Sequence, residues 1–133
     1  MCGGGNAVHV LASLIGAQPE HDVSILSLFS GEAKRLQNSI IEEGIRCIND
    51  RGDDVYGRPV VVTACTSEIA QKNVDIVILA LPSFTHESYL KALKPHLKPG
   101  LLIGAMPGEG GFDFTVRHIL GNDFLTASSV FAL

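Results

Sequence analysis

Three consecutive glycines near the start of the chain have the composition and spacing of a phosphate-binding loop. Residues 3–8 are GGGNAV, and the first glycines fit the G-x-G-x-x pattern that precedes a helix. In such a loop the glycines allow a tight turn and a close backbone approach, and the N–H groups of the first helical turn face the anion. The pattern therefore predicts that a dinucleotide pyrophosphate binds the following residues: Gly3, Gly4, Gly5, Asn6 and Ala7.

The position of Val8 departs from the pattern, because glycine or alanine is usual there for close packing of helix and strand. We expect either a slightly displaced helix or a close contact made by Ala7 instead.

The second predicted strand should lead to the ribose of the cofactor. An acidic residue usually ends this strand in NAD-binding domains, but here the first carboxylate after the strand is Glu32. Phe29 is predicted to flank the adenine, and Ser30 or Glu32 to reach the ribose from the turn that includes Gly31. Lys34 and Arg35 are basic residues that either meet a 2′-phosphate or simply solvate the helix, so these residues leave NAD and NADP both open.

Two further strand ends carry candidate residues. Leu81, Pro82 and Ser83 follow the most apolar segment of the chain, and ligands of parallel α/β sheets bind at the carboxyl ends of strands. His86 is either a substrate contact or a structural residue near the start of a helix. Glu109, in the glycine-rich segment after the next strand, is either a substrate contact or a solvated charge.

The elements that would position these residues alternate between buried strands and amphipathic helices. This order predicts an α/β fold, a Rossmann-like doubly wound parallel sheet whose first strand is reduced to Met1 and Cys2. Helices are predicted over residues 6–16 (with Ala7, Leu11, Leu14 and Ile15 on one face), 31–44 (through Ile40 and Ile41), 67–73 (capped by Ser67), 85–97 (capped by Thr85) and 112–120. Strands are predicted over residues 22–29, 74–82, 100–108 and 124–133, with a hairpin-like excursion over residues 45–64.

Composition narrows the possible classes of function. The 133 residues suit one domain, and a net charge of −4 gives no basic surface for nucleic acid. No apolar run suggests a membrane span or an export signal, and Cys2, Cys47 and Cys65 have the irregular spacing of reduced thiols in a cytoplasmic protein. No metal-binding or nucleophile motif occurs, so we expect no metal site.

Four segments together resemble the cofactor domain of a known enzyme family. They are CGGGNAVH, LSLFSGEAKRL, VDIVILALPSFTHESYLKALKPHL and GLLIGAMPGEGGFDFTVRHILG. In sequence and spacing they resemble the N-terminal dinucleotide-binding domain of the opine dehydrogenases, especially the octopine dehydrogenase group. Members of this family use NADH, or NADPH in some branches, to condense an amino acid reductively with a 2-keto acid, usually pyruvate.

The resemblance implies roles for several residues. The glycine loop corresponds to the pyrophosphate loop of the family, and residues 29–32 correspond to its adenosine-ribose segment, which favours NAD(H) over NADP(H). Glu109 falls where octopine-type enzymes carry a glutamine near the keto acid, and a carboxylate there is unfavourable beside pyruvate.

The resemblance also implies that part of such an enzyme is absent from residues 1–133. The family has a second, helical domain that supplies the catalytic histidine and the amino-acid pocket, so we expect a truncated dinucleotide-binding domain with no catalytic residue and no turnover of its own. The oligomeric state is left open. Two alternatives are a non-catalytic nucleotide-binding module and the cofactor domain of a related 2-keto-acid or hydroxy-acid reductase.

Overall fold

The computed structural model describes residues 1–40 and 44–133, so residues 41–43 of the helix predicted over residues 31–44, including Ile41, lie outside the described residues. The chain forms two compact units, one of Met1 with Gly3–Cys65 and one of Cys2 with Thr66–Leu133. The helices are α1 (Asn6–Gly16), α2 (Ser30–Ser39), α3 (Thr66–Ala70), α4 (His86–Leu93), α5 (Phe112–Leu120) and α6 (Asn122–Ala127). The strands are β1 (Ser24–Leu26), β2 (Ile45–Ile48), β3 (Asp54–Gly57), β4 (Val61–Thr63), β5 (Ile76–Leu79), β6 (Leu102–Ala105) and β7 (Ser129–Ala132).

The first unit contains a short parallel sheet of β1 and β4, in register from Ser24 opposite Val61. Every residue of β1 is buried, as expected of a strand in a segment rich in aliphatic residues. The chain start also bonds to this strand, because the Leu26 N–H donates to the Met1 carbonyl and the Gly3 N–H donates to the Leu26 carbonyl, each at 2.8 Å. The predicted remnant of a first strand is therefore present as hydrogen-bonded backbone.

Residues 45–64 form three strands where the sequence predicted one hairpin. The antiparallel hairpin consists of β2 and β3, with Ile45 opposite Gly57. The apolar residues after the hairpin form β4, which pairs in parallel with β1 and not with the hairpin. Asp and Gly at residues 50–53 supply the hairpin turn, and the Asn49 side chain accepts hydrogen bonds from the backbone of Arg51 and Asp53.

The buried face of α1 differs from the predicted one. Val8, Ala12 and Ser13 are buried, whereas Ala7 is exposed and Leu14 is 41% exposed. Ala7 therefore does not make the close contact, and Val8 is buried in its place. The helix packs against the hairpin at Gly57, where an added Cβ would collide with the backbone of Ala12 and Ser13.

The second unit contains a three-stranded parallel sheet in the order β5-β6-β7. Cys2 joins it through a parallel bridge to Leu79, and its N–H donates to the Ile78 carbonyl at 2.8 Å. Helices α4 and α5 contribute the following buried residues: His86, Tyr89, Leu90, Leu93, Phe112, Val116, Ile119 and Leu120. The bounds of α5 match the prediction, since Gly111 and Gly121 delimit the helix.

One predicted cap and one predicted strand are wrong in detail. Ser67 lies inside the first turn of α3, so it is not the N-cap residue. Thr85 is the N-cap residue of α4 as predicted, although its hydroxyl donates to the Pro82 carbonyl at 2.7 Å instead of accepting from the α4 backbone. Residues 124–127 belong to α6, so the last strand begins only at Ser129. Asp123 in the first turn favours this helix through its dipole, a local effect that outweighs the apolar pattern.

No helix within the described residues is both long enough and apolar enough to cross a membrane.

Candidate functional site

The N-terminus of α1 has the features expected of an anion-binding helical turn. Gly5 is the N-cap residue, with an extended backbone (φ −84°, ψ −175°), and among the described residues no side chain caps the helix. Asn6 and Ala7 are exposed, and the first turn has no acidic residue. The first N–H groups of a helix have no partner within it and carry its positive dipole end, so this turn can donate to an external phosphate.

The space in front of this turn is open at Gly5. A Cβ built on Gly5 would meet no atom within 4 Å, and the extended backbone of Gly5 is one that any residue can adopt. Neither packing nor backbone conformation therefore requires a glycine at this position. The absence of a side chain leaves room for another molecule to approach the backbone.

Gly4 has a different local role. A Cβ on Gly4 would lie 2.5 Å from Cδ of Glu32, so the missing side chain makes room for this carboxylate. Glu32 lies in the first turn of α2, and its Oε2 accepts a hydrogen bond of 2.5 Å from the Ser27 hydroxyl. The structure thus brings the glycine loop and the predicted ribose residue together.

Ser27 is a site residue that sequence reasoning missed. It follows β1 directly, is completely buried, and its backbone N–H donates to the Thr63 carbonyl at 3.0 Å. A serine placed immediately after a buried aliphatic strand, at the carboxyl end, was the available signal, because buried hydroxyl groups require partners.

The other predicted ribose residues are accessible. Phe29 is the N-cap residue of α2 and is 65% exposed, so its ring is available to a planar ligand group. Ser30 and Gly31 are exposed in the first turn, and nothing lies within 4 Å of a Cβ built on Gly31. Lys34 and Arg35 are exposed further along α2, which fits either of their proposed roles.

In the second unit, Leu81, Pro82 and Ser83 follow β5, and Pro82 and Ser83 are exposed. His86 is only 3% exposed, and its Nε2 lies 3.0 Å from the Leu81 carbonyl oxygen. Its ring also meets Phe112 edge-on, with 5.3 Å between the ring centroids. These contacts give His86 a structural role in the turn after β5, and its substrate role stays a prediction.

Glu109 is exposed between β6 and α5, and its substrate role is likewise still a prediction. The neighbouring Gly108 N–H donates to the Leu133 carbonyl, which ties this segment to the end of the sheet. Across residues 1–40 and 44–133, His, Cys, Asp and Glu side chains do not gather in groups of three or more that could hold a metal ion.

Curated relatives match nearly the whole chain. Tauropine dehydrogenase from Arabella iricolor is 38% identical over 126 residues, a match that covers 92% of this chain and 32% of that protein. Octopine dehydrogenase from Pecten maximus is 36% identical over 126 residues, covering 92% of this chain and 31% of that protein. This chain thus spans about a third of the length of the curated relatives it matches. No family model matches it.

Solved structures give the same result. Octopine dehydrogenase in complex with NADH and L-arginine superimposes with a TM-score of 0.87 at 36% identity, covering 97% of this chain and 32% of that one. A ketopantoate reductase from Ralstonia eutropha has a TM-score of 0.70 at 20% identity, covering 98% of this chain and 38% of that one, a likeness of fold alone. The resemblance to opine dehydrogenases and the α/β, Rossmann-like fold are both confirmed for this chain.

Proposed function

We propose that this chain is the cofactor-binding part of an opine dehydrogenase and that it binds NAD(H). The observation that carries the proposal is the N-terminus of α1, where an uncapped helical turn faces space that a Cβ on Gly5 would fill. Similarity to octopine dehydrogenase structures obtained with NADH supports the same ligand. The residues present therefore fit a dinucleotide.

The glycine loop would hold the pyrophosphate. Gly3 has φ 116°, which favours glycine and turns the chain from the hydrogen bond with Leu26 into the loop. The N–H groups of Asn6 and Ala7 would then donate to phosphate oxygens across the open face of Gly5. No lysine or arginine is needed, because several backbone donors and the helix dipole act together.

Residues 29–32 would hold the adenosine. The Glu32 carboxylate would accept a hydrogen bond from a ribose hydroxyl, and the exposed Phe29 ring would lie against the adenine. A carboxylate in this place also repels a 2′-phosphate, which favours NADH over NADPH. Ser30 and Gly31 would line the same turn without blocking it, since the direction of a Cβ on Gly31 is open.

The second unit would contribute through its strand ends. We propose that Leu81, Pro82 and Ser83 also contact the cofactor, because they follow a parallel strand at its carboxyl end. Glu109 is the proposed substrate-facing residue of the segment after β6, where an exposed carboxylate would disfavour a bound keto acid unless it is turned away. His86 is a second candidate, with its burial as the argument against a direct contact.

The proposed reaction joins an amino acid to a 2-keto acid. The amine and the keto carbonyl lose water to form an imine, and reduction of that imine gives a secondary amine. Bound NADH would supply the hydride for this reduction. This chain would bind and orient the cofactor only, while the groups that bind the amino acid and act as acid or base are assigned to a part of the enzyme outside these 133 residues.

The test is a fluorescence titration of the chain with NADH, followed by addition of pyruvate and an amino acid. We expect saturable binding at one site per chain and no NADH oxidation. The absence of saturable NADH binding by the folded chain would overturn the proposal, and turnover by the chain alone would overturn the assignment of catalytic groups elsewhere.

A further inference from the structure

Resting on the proposed function, we infer that Ser27 is a positioning residue that fixes the Glu32 carboxylate and thereby sets the preference for NADH over NADPH. Ser27 does not reach a ligand itself, since it is completely buried. It acts through its hydrogen bond to Glu32, which lies next to the glycine loop.

The hydrogen bonds around Ser27 determine where its single hydroxyl proton points. The Phe29 N–H donates to the Ser27 Oγ at 3.3 Å, which uses that oxygen as an acceptor. The Phe29 carbonyl lies 3.4 Å from the same oxygen, whereas Oε2 of Glu32 lies at 2.5 Å. The proton is therefore donated to Glu32, because the bond to an ionised acceptor is both shorter and stronger.

Two neighbouring residues, Ser27 and Gly4, restrict the position of the Glu32 side chain. Ser27 binds one carboxylate oxygen, and the backbone of Gly4 lies close enough that a Cβ there would be 2.5–2.7 Å from the side-chain carbons and Oε2. A flexible glutamate on an exposed helical turn would otherwise sample several rotamers at an entropic cost on binding. Fixing it in advance removes that cost for a ligand hydroxyl.

The carboxylate still has capacity for a ligand. An ionised carboxylate offers about four acceptor positions, of which Ser27 occupies one. A ribose 2′-hydroxyl can donate to it, whereas a 2′-phosphate brings a like charge to the same place. The Glu32 carboxylate does not fill the space at Gly5, since a Cβ there would meet no atom within 4 Å.

The experiment compares binding of NADH and NADPH to the wild-type chain and to Ser27→Ala. We expect Ser27→Ala to weaken NADH binding by about three- to tenfold, the range of an ordinary hydrogen bond, and to change NADPH binding less than twofold. The preference ratio, which is the dissociation constant of NADPH divided by that of NADH, should therefore fall towards one.

Ser13→Ala is the matched control. Ser13 is as deeply buried and belongs to the same unit, but its hydroxyl donates to backbone carbonyls of α1, at His9 and Val10. A loss of stability alone would affect both variants alike. We expect the ratio of the NADPH to the NADH dissociation constant to be the same for Ser13→Ala as for the wild type.

Two further variants test the route through Glu32. In a Glu32→Ala background, Ser27→Ala should cause no additional change in the ratio, because the group it orients is gone. Gly4→Ala should lower the ratio with Ser27 intact, because the added methyl displaces the carboxylate.

The outcomes separate the inference from the proposed function. If the wild-type chain binds neither dinucleotide, the proposed function fails. If it binds NADH but Ser27→Ala leaves the ratio unchanged, or if the effect of Ser27→Ala is equally large in the Glu32→Ala background, the inference is overturned and the proposed function stands.

Discussion

The chain has two glycine-rich segments that each lead into a helix, and their glycines have different physical causes. Gly5 precedes α1 with an extended backbone that any residue could adopt, whereas Gly111 precedes α5 at φ 90°, a conformation that favours glycine. The first turn of α1 has no acidic residue, while that of α5 contains Asp113. Thus α5 already has a carboxylate at its positive end, and α1 does not.

This comparison separates a glycine needed by a turn from a glycine needed by a ligand. At Gly111 the backbone conformation is sufficient explanation. At Gly5 neither conformation nor packing explains the residue, since a Cβ there would meet nothing within 4 Å. We propose a binding role for Gly5 because the fold itself does not require glycine there.

The largest expected effect comes from Gly5→Ala. The methyl group would occupy the space in front of the helix N-terminus, so NADH binding should weaken by at least tenfold, while the free energy of unfolding falls by no more than about 1 kcal/mol, the cost of alanine at an N-cap. Fluorescence titration and urea unfolding measure the two quantities. Gly110→Ala is the control, since its Cβ also meets nothing within 4 Å. Unweakened NADH binding by Gly5→Ala would remove the distinction between the two segments.

Gly111→Ala should produce the opposite pattern. Placing an alanine at φ 90° costs about 1–2 kcal/mol of folding free energy, because the side chain crowds the neighbouring carbonyl. Urea unfolding should show this loss, with Gly110→Ala again close to the wild type. An unfolding midpoint equal to that of the wild type would mean that α5 does not need glycine at its start.

The glycine loop is preceded by a titratable residue, Cys2, and the other segment is not, so we expect Cys2 to make the free energy of unfolding depend on pH. Burial raises the pKa of the Cys2 thiol, which lies before the glycine loop, whereas Ala105 ends the strand before the other segment. Above about pH 8.5 the unfolded chain loses this proton and the folded chain keeps it, so the unfolding free energy falls by about 1 kcal/mol per pH unit. Below that pH the contribution is fully present.

Thermal unfolding of the wild type and Cys2→Ala between pH 7 and 10 checks this sign. The variant should be less stable at neutral pH because it loses a buried group, and the difference between the two proteins should shrink as the pH rises. A constant difference would show that the Cys2 thiol does not titrate differently in the two states.

The smallest expected effect comes from making α1 resemble α5. Asn6→Asp would place a carboxylate in the first turn of α1 and stabilise the helix by about 0.3–1 kcal/mol. The same charge should weaken NADH binding, because it competes for the N–H groups and repels phosphate. Asp113→Asn, the reverse change at α5, serves as the comparison for stability. Stronger NADH binding by Asn6→Asp would contradict an anion site at this turn.

Local signals were sufficient where glycines and periodicity agreed. The segment FDFTVRHIL between Gly111 and Gly121 predicted α5 with its observed bounds, and the aliphatic runs predicted β1, β5 and β6 with ends a few residues too long. The face of α1 was wrong because apolar residues surround this helix, so periodicity alone does not select Val8 and Ala12 over Ala7 and Leu14.

The rest depended on contacts between residues far apart in the chain. The close approach of Gly57 to Ala12, and that of Glu32 to Gly4, result from packing of separate elements and leave no mark on local sequence. Similarly, β4 follows the hairpin closely in the sequence but pairs with the more distant β1. The glycine loop could be proposed as a phosphate site because phosphate binding has a local sequence pattern, whereas a single buried serine such as Ser27 has no such pattern.

The most direct test of the phosphate site is an NMR titration of the chain with NADH, observing backbone amide resonances. We expect the resonances of Gly5, Asn6 and Ala7 to shift progressively and to saturate with the dissociation constant found by fluorescence. Saturating NADH that leaves these three resonances in place would contradict this expectation.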